Sequence, residues 1–275
     1  MMLNIPKNPV EKSFADGKIL QSVDGGIGIV TFNNPEKRNA MSLDMWEGLG
    51  QSLTELRDDP DVRVVILTGA GDKAFVSGAD ISQFEKTRHN AEASEEYSRR
   101  SAAQRALLAD YPKPTIACIR GFCLGGGMQV AMLADIRFAA ENSQFGIPAA
   151  KLGIAYGYDG LRNLVSLVGP SWARLIMYTG MRIGSAEAQR IGLVDRVLPD
   201  AELRDATLEI ARTISGNAPL AIKAAKITIA QVLKDAGDRD MDAIKAIGAA
   251  CMDSEDFREG RRAFMEKRKP EFKGK

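Results

Sequence analysis

The apolar positions of this chain recur at three different spacings, and each predicts a different element. Lys18–Val23 and Ile27–Asn33 are β-like runs flanking Asp24-Gly25-Gly26, a hairpin signal. Met41, Met45, Leu49, Leu53 and Leu56 fall at helical spacing within Met41–Arg57, with Ser42 placed to cap the start. Val62–Thr68 (VRVVILT) is a short continuous apolar run, the pattern of a strand buried on both faces, and Gly69–Asp72 then turns the chain. Thr115–Arg120 is another strand-like run, and Ile136–Ala140 and Gln144–Ile147 bracket a polar turn. Between these, Gln83–Arg100 is rich in charge, Ser and Asn. It reads as mobile surface helix or loop, either a lid over a pocket or a plain solvated connection.

From Gly160 onward the pattern becomes mostly helical, interrupted at Leu193–Leu198. Ala201–Ile214, Pro219–Lys234, Asp240–Cys251 and Ser254–Lys267 read as helices, the last with Ser254 as cap and Phe257 as its first buried position. Strands interleaved with helices and followed by a helical tail predict an α/β fold. Its core would span residues 1–200, with an α-helical C-terminal subdomain over 201–275.

Composition narrows the function classes. The 275 residues are 45% hydrophobic, ample for a core, and 37 basic against 36 acidic side chains argue against a nucleic-acid or membrane-surface partner. The first residues hold no apolar stretch of a secretory signal, and no segment is long enough to span a bilayer. Cys118, Cys123 and Cys251 show no metal-ligand spacing. With His89 the sole histidine, a Ser-His-Asp triad has no second candidate for its base. The expectation is a cytoplasmic protein without metal or permanently bound cofactor, with His89 at the surface.

The most informative stretch is Lys113–Ile136, KPTIACIRGFCLGGGMQVAMLADI. A strand leads through Gly121 to Gly125-Gly126-Gly127, and a buried helix is predicted to follow. Glycines at such a turn allow close backbone approach, and a helix start leaves N–H groups without partners. Those groups suit an anion, or a carbonyl oxygen that becomes one. Gln129 stands one turn further, where an acid–base enzyme would want a carboxylate.

FNNPEKRNAMS (Phe32–Ser42), GAGDKAFVSGADI (Gly69–Ile81), IACIRGFCLGGGMQVAMLADIRFA (Ile116–Ala139), FGIPAAKLGI (Phe145–Ile154), AQRIGLVDRVL (Ala188–Leu198) and EGRRAFMEKRKPEF (Glu259–Phe272) occur in the order and spacing of one family. Over nearly its full length the chain resembles the crotonase superfamily, the enoyl-CoA hydratase/isomerase family. The resemblance implies a ββα spiral core, a helical C-terminal region that mediates trimers or dimers of trimers, and an acyl-CoA thioester as substrate. It implies an oxyanion hole from the Ala79 and Gly126 N–H groups. It also implies CoA contacts at Lys37, Arg38 and Ala40, at Lys73 and Ser77, and at Phe264 and Lys267, the last two reaching a neighbouring subunit's CoA in some members. Arg258–Lys275 holds eight basic residues against three acidic, which suits a polyanionic ligand.

The chain departs from the family's hydratases at both catalytic glutamates. The position two after the triple glycine is Gln129, and the one after the next motif's proline is Ala149. An amide can orient water but does not exchange a proton near neutrality. Hydration of a simple enoyl-CoA should therefore be very slow. Tyr156, Tyr158 and Asp159 instead place polar groups in GIAYGYDGLRNL. Leu152-Gly153-x-x-Tyr156 with Gly160-x-x-Asn163-Leu164 is similar to the family's methylmalonyl-CoA decarboxylases, in which a tyrosine at this place lies in the acyl pocket. Gln129 would position water or acyl group, and Tyr156 or Asp159 would supply the proton. Two alternatives stand beside this reading: decarboxylation of a malonyl-type CoA ester, and a non-catalytic acyl-CoA binder. Asp80 and Asp135 read as structural carboxylates. Cys123 has no basic neighbour in sequence to make it a reactive thiolate.

Overall fold

After an opening meander the chain passes back and forth between two sheets, and these crossings bring the candidate site together. The computed structural model describes residues 12–80 and 90–275, so His89 and the segment 81–89 lie outside the described residues. β1 (Lys12–Phe14), β2 (Ile19–Asp24) and β3 (Ile27–Phe32) form an antiparallel meander through the expected hairpin. β4 (Val64–Gly69) then pairs parallel to β3. The chain crosses to a second sheet with β5 (Ala74–Val76), returns to the first with β6 (Thr115–Ile119), and crosses again with β7 (Phe122–Leu124). The same step recurs from β8 (Ile136–Ala140) to β9 (Gln144–Gly146). With β10 (Arg182–Gly184) and β11 (Arg196–Leu198), the result is a seven-stranded sheet of order β1-β2-β3-β4-β6-β8-β11. The smaller sheet has four strands in the order β10-β9-β7-β5.

Strand alternation divides the interior in two. Val30, Phe32, Val65, Leu67, Ala117 and Ile119 face the helix α1 (Leu43–Asp58), which contributes Met45, Trp46, Leu49 and Leu53. Ile29, Ile66, Ile116 and Cys118 point the other way, towards Leu203 and Ala211 of a later helix. Parallel strands covered on both faces read as unbroken apolar runs, which is why β3 and β6 are wholly buried.

Ser42 stands at the N-cap of α1, but its side chain makes no capping bond. Within Gln83–Arg100, α2 (Ala91–Ala109) is helical and capped by the Asn90 side chain, which accepts from the Ala93 N–H at 2.8 Å. It crosses both α1 and α3 (Gly126–Leu133). A long helix, α4 (Tyr158–Thr179), is broken at Gly169–Pro170, where proline removes a donor and Gly169 leaves helical geometry. After α5 (Ser185–Arg190), α6 (Leu203–Gly216) covers the second face of the large sheet with Leu203, Thr207 and Ala211.

α7 (Pro219–Val232) and α8 (Met241–Asp253) bury no residue at all. α9 (Glu255–Glu266) begins as expected, Ser254 Oγ accepting from the Phe257 N–H at 3.0 Å. None of the described helices is long and apolar enough to cross a membrane.

Candidate functional site

The two crossings into the smaller sheet, after β4 and after β6, bring two glycine turns side by side. Met41 and Ala79 form a parallel bridge: the Met41 N–H donates to the Gly78 carbonyl at 2.8 Å, and the Asp80 N–H donates to the Met41 carbonyl at 2.9 Å. In such a bridge the N–H of the middle residue points away from the partner strand. The Ala79 N–H is thus turned outward. The Gly126 N–H is the first of α3 and has no carbonyl a turn behind it. Among the described residues neither group donates to any backbone acceptor.

Their closeness follows from the glycines. Gly78 (φ +125°) and Gly125 (φ +49°) adopt backbone angles that side chains disfavour. A Cβ on Gly125 would stand 3.6 Å from Gly78 Cα, and one on Gly126 3.6 Å from the Gly78 carbonyl carbon. Gly127 seats α3 on β5 so tightly that a Cβ there would meet the Val76 carbonyl oxygen at 2.1 Å. The outcome is two orphan donors held by backbone alone, beside the buried indole of Trp46.

The candidates for an acyl end are side chains. Gln129 is half-buried on α3, its N–H donating to the Gly125 carbonyl at 3.1 Å. Ala149 is buried in the one-turn helix Pro148–Leu152. Tyr156 packs its ring on Gly160, where a Cβ would meet Cε1 at 2.5 Å. Its hydroxyl is buried without a hydrogen-bond partner. Burial pushes that phenol well above its ordinary value near 10, only partly offset by the neighbouring Gln129 and by the charge of Arg105. Tyr156 therefore remains a protonated donor at physiological pH. Cys123 is a wall residue, its thiol pushed up by burial and so not a thiolate.

The structure brings Gln129 and Tyr156 together and leaves Asp159 exposed in the first turn of α4, where a carboxylate complements the helix dipole. Asp135 accepts from the Thr115 N–H at 2.8 Å and from Lys226 Nζ at 2.7 Å, a bond to strand backbone as anticipated. Asp80, nearly buried, is paired with Lys37 at 2.9 Å.

The other polyanion candidates separate into two groups. Lys37, Arg38, Ala40, Lys73 and Ser77 belong to neighbouring turns: the Ser77 N–H donates to the Arg38 carbonyl at 3.1 Å, and the Phe122 N–H to the Lys73 carbonyl at 3.0 Å. Asn39 staples them, its Nδ2 donating to the Ala70 and Ala74 carbonyls. Phe264 and Lys267 lie exposed on α9 and at its left-handed C-cap. Phe264 there lines a cleft formed with α7 and α8. Two of the tail's basic residues have an internal task, since Arg262 and Arg268 clamp Glu259 and hold its carboxyl well below the usual range.

Sequence reasoning missed Trp46 and Arg105. The Arg105 guanidinium, from α2, lies 5.5 Å from the centre of the Trp46 ring. Nothing local marks Arg105, because α2 alternates short polar and charged residues without a clear apolar stripe. A cleft opens on the opposite face of the large sheet, under α6, and is lined by none of Gly78 and Gly125–Gly127.

The two-sheet α/β fold with its helical C-terminal part defines the class of the protein, and comparison with known proteins places it within that class. The model of the enoyl-CoA hydratase/isomerase family matches residues 22–275. The chain is 36% identical over 253 residues to a short-chain-enoyl-CoA hydratase of Clostridium acetobutylicum, covering 92% of this chain and 96% of that one. It is 34% identical over 257 residues to a carnitinyl-CoA dehydratase of Salmonella agona, covering 92% and 97%. A crystal structure described as an enoyl-CoA hydratase/carnithine racemase from Magnetospirillum magneticum superposes with a TM-score of 0.90 at 34% identity, covering 94% and 96%. The chain belongs to the enoyl-CoA hydratase/isomerase family and is an acyl-CoA-processing enzyme of the crotonase fold.

Proposed function

We propose that this enzyme holds the carbonyl oxygen of a CoA thioester between the Ala79 and Gly126 N–H groups and stabilises the enolate that develops there. The observation that carries this reading is the pair of adjacent, unpartnered N–H groups on two glycine turns. Preorganised donors in a dry site stabilise developing charge without reorganising, and one such donor is worth about 10²–10³ in rate. Lys37, Arg38, Ala40, Lys73 and Ser77 would receive the CoA moiety. Gln129 would orient the acyl group or a water, and Tyr156 would deliver the proton. With Gln129 and Ala149 in the places of the hydratase glutamates, simple hydration of crotonyl-CoA should be very slow.

A second reading rests on the buried, unpartnered Tyr156 hydroxyl. Decarboxylation of a malonyl-type thioester needs no base. The bond from the α-carbon to the carboxylate breaks, its electron pair becomes the enolate, carbon dioxide leaves, and the α-carbon takes a proton from a neutral donor such as Tyr156.

We further propose a cytoplasmic homotrimer or dimer of trimers. In support, Ile229, Val232, Leu233, Met241 and Met252 stand exposed on and beside α7 and α8, and an apolar face of this kind suits contact between copies. Phe264 and Lys267 would then meet a neighbour's CoA.

The deciding experiment incubates the protein with crotonyl-, 3-enoyl-, methylmalonyl- and malonyl-CoA and follows products by mass spectrometry, with chromatography for isomers. Loss of carbon dioxide selects the second reading, and isomerised product supports enolate chemistry in general. Rapid gain of water would overturn the role given to Gln129 and Ala149. Binding without any turnover would leave a silent acyl-CoA binder.

A further inference from the structure

We propose a second ligand site in the cleft under α6, on the face of the large sheet turned away from the glycine turns. It takes a short aliphatic carboxylate, with the hydrocarbon end against the sheet and the carboxylate on Arg204. Such a site is independent of the chemistry at the glycine turns.

The floor is apolar. β3, β4 and β6 run parallel, and on this face Ile29, Ile66 and Cys118 line the cleft opposite Leu203 and Leu208 of α6. Burial pushes the Cys118 thiol up, so it stays neutral and acts as a small hydrophobe. Two hydroxyls also line the cleft, but both spend their protons inside the fold. Thr68 Oγ1 donates to the Cys118 carbonyl at 3.3 Å, and Thr207 Oγ1 to the Leu203 carbonyl at 2.7 Å. A floor of this kind favours hydrocarbon.

The charged lining is cationic. Arg120 and Arg204 line the cleft and no carboxylate does, but the two arginines are not equivalent. Arg120 is answered by Asp200, its Nε donating to Oδ1 at 2.6 Å and its Nη2 to the Asp200 carbonyl at 2.9 Å. Arg204 is half-buried, and its side chain makes no hydrogen bond or ion pair among the described residues. Its charge and the Cys118 sulfur lie in each other's field, which sets the cation near the floor. Burial lowers the guanidinium from its ordinary value, offset only in part by the exposed Asp205, and an arginine remains charged even so. Arg204 also stands in the first turn of α6, where the helix already carries partial positive charge and a cation is unfavourable. A half-buried cation with five donors and no acceptor is complemented by an anion.

Charge and room together decide which anion. With Arg120 paired, one guanidinium is left uncompensated, which matches the single charge and two-pronged geometry of a carboxylate better than a phosphate dianion. The enclosed space is about 90 Å³. A cavity of about 150 Å³ holds benzene, so the chain that fits here is short, roughly three to five carbons.

The test is fluorine NMR titration of the intact protein with butyrate trifluorinated at its terminal methyl group. The corresponding amide keeps the chain and loses the charge, and inorganic phosphate as a competitor has charge without a chain. The acid should bind about tenfold or more tightly than the amide, and phosphate should not displace it. Arg204→Met retains the stem and a good helix former. It should weaken the acid about tenfold and leave the amide nearly unchanged, with partial recovery in Arg204→Lys. Leu208→Trp, which fills the cleft from α6, should abolish binding of both, with melting curves recorded for every variant. Equal affinity for acid and amide, an unaltered affinity in Arg204→Met, or no binding by the native protein overturns the proposal. So does displacement by phosphate, which would leave an adventitious anion site only. Displacement by butyryl-CoA would put the probe at the acyl-CoA site, and that too overturns it. If Leu208→Trp fails to fold, the Arg204 variants decide alone.

Discussion

The proposed thioester end of the site would be built from backbone, and the proposed acyl end from side chains. At the first, Ala79 and Gly126 contribute only N–H groups, and the glycines around them are held by contacts as close as that of Gly127 with the Val76 carbonyl. At the second, Gln129, Ala149 and Tyr156 come from α3, a one-turn helix and the loop before α4. A backbone donor cannot be exchanged by substituting its own side chain, whereas side chains can be replaced one at a time without disturbing the fold. On the proposed assignment, a fixed enolate-stabilising half would be joined to a variable reacting half, an arrangement that lets one fold support several reactions.

Breaking the backbone half should have the largest effect. In Gly127→Ala the added methyl would overlap the Val76 oxygen, so α3 must lift from β5 or the turn must open. Overpacking of a well-packed site costs about 1–3 kcal/mol and sometimes more. Here the obstacle is backbone, so the expected result is a large fall in melting temperature or loss of soluble protein. A native-like melting curve would show that the two turns are less rigidly coupled than their contacts imply. Ala79→Pro is the more selective break, because it deletes one N–H while the Asp80 N–H can still hold the bridge to Met41. Turnover of whichever thioester proves productive should fall about 10²–10³-fold. The dichroism spectrum should be retained.

The same division governs what sequence could reveal. β3, β4 and β6 are apolar runs covered on both faces, and local pattern alone announces them. β5, β7 and β10 are three-residue strands, too short for alternation to register, and they exist because the spiral supplies neighbours to pair with. The backbone donors were legible because three consecutive glycines at a strand-to-helix turn mark a close approach of backbone to backbone or to a ligand. For the proposed acyl end the sequence offered only what a motif fixed, as at Gln129 and Ala149. Arg105 carries no local signature. It meets Trp46, a residue on another helix that only folding brings beneath it. Ser42 shows the converse, since a cap-like residue at a helix start still makes no capping bond when its hydroxyl is buried.

Changes at the acyl end should be smaller and should alter selectivity more than structure. Tyr156→Phe keeps the ring on Gly160 and removes a hydroxyl with no partner in the free enzyme, so stability should hold or rise slightly. Turnover should fall by about 10²-fold, the lower end for a positioned proton donor, because water can enter its place. An unchanged rate would remove Tyr156 from the proton path. Gln129→Glu sharpens the contrast from the other side by restoring a carboxylate beside the Tyr156 phenol. Binding of a carboxylated acyl-CoA should weaken by about tenfold at neutral pH through like-charge repulsion. Protonating the new carboxylate as pH falls should return the affinity. The native enzyme lacks that pH dependence, since Gln129 does not titrate and burial keeps Tyr156 protonated. Titration calorimetry between pH 5 and 8 on both proteins reads the difference directly.

Asp159→Asn should have the smallest effect, and it marks where the acyl end stops. The carboxylate is exposed in the first turn of α4, two residues past the N-cap Gly157, a position where negative charge offsets the helix dipole. Such a charge is worth about 0.3–1 kcal/mol near the surface. The expected outcome is a slight decrease in unfolding free energy, diminished by added salt, with turnover changed less than twofold by the order of magnitude of so screened a charge. Tyr156 and Asp159 occupy the same short segment and would compete for one assignment as proton donor. A buried neutral phenol can give up a proton only to a group held against it, whereas the Asp159 carboxylate is exposed in the first turn of α4. A large loss of turnover in Asp159→Asn would reverse that assignment. It would also require the α4 terminus to turn inward when substrate binds, extending the proposed acyl end beyond Gln129, Ala149 and Tyr156.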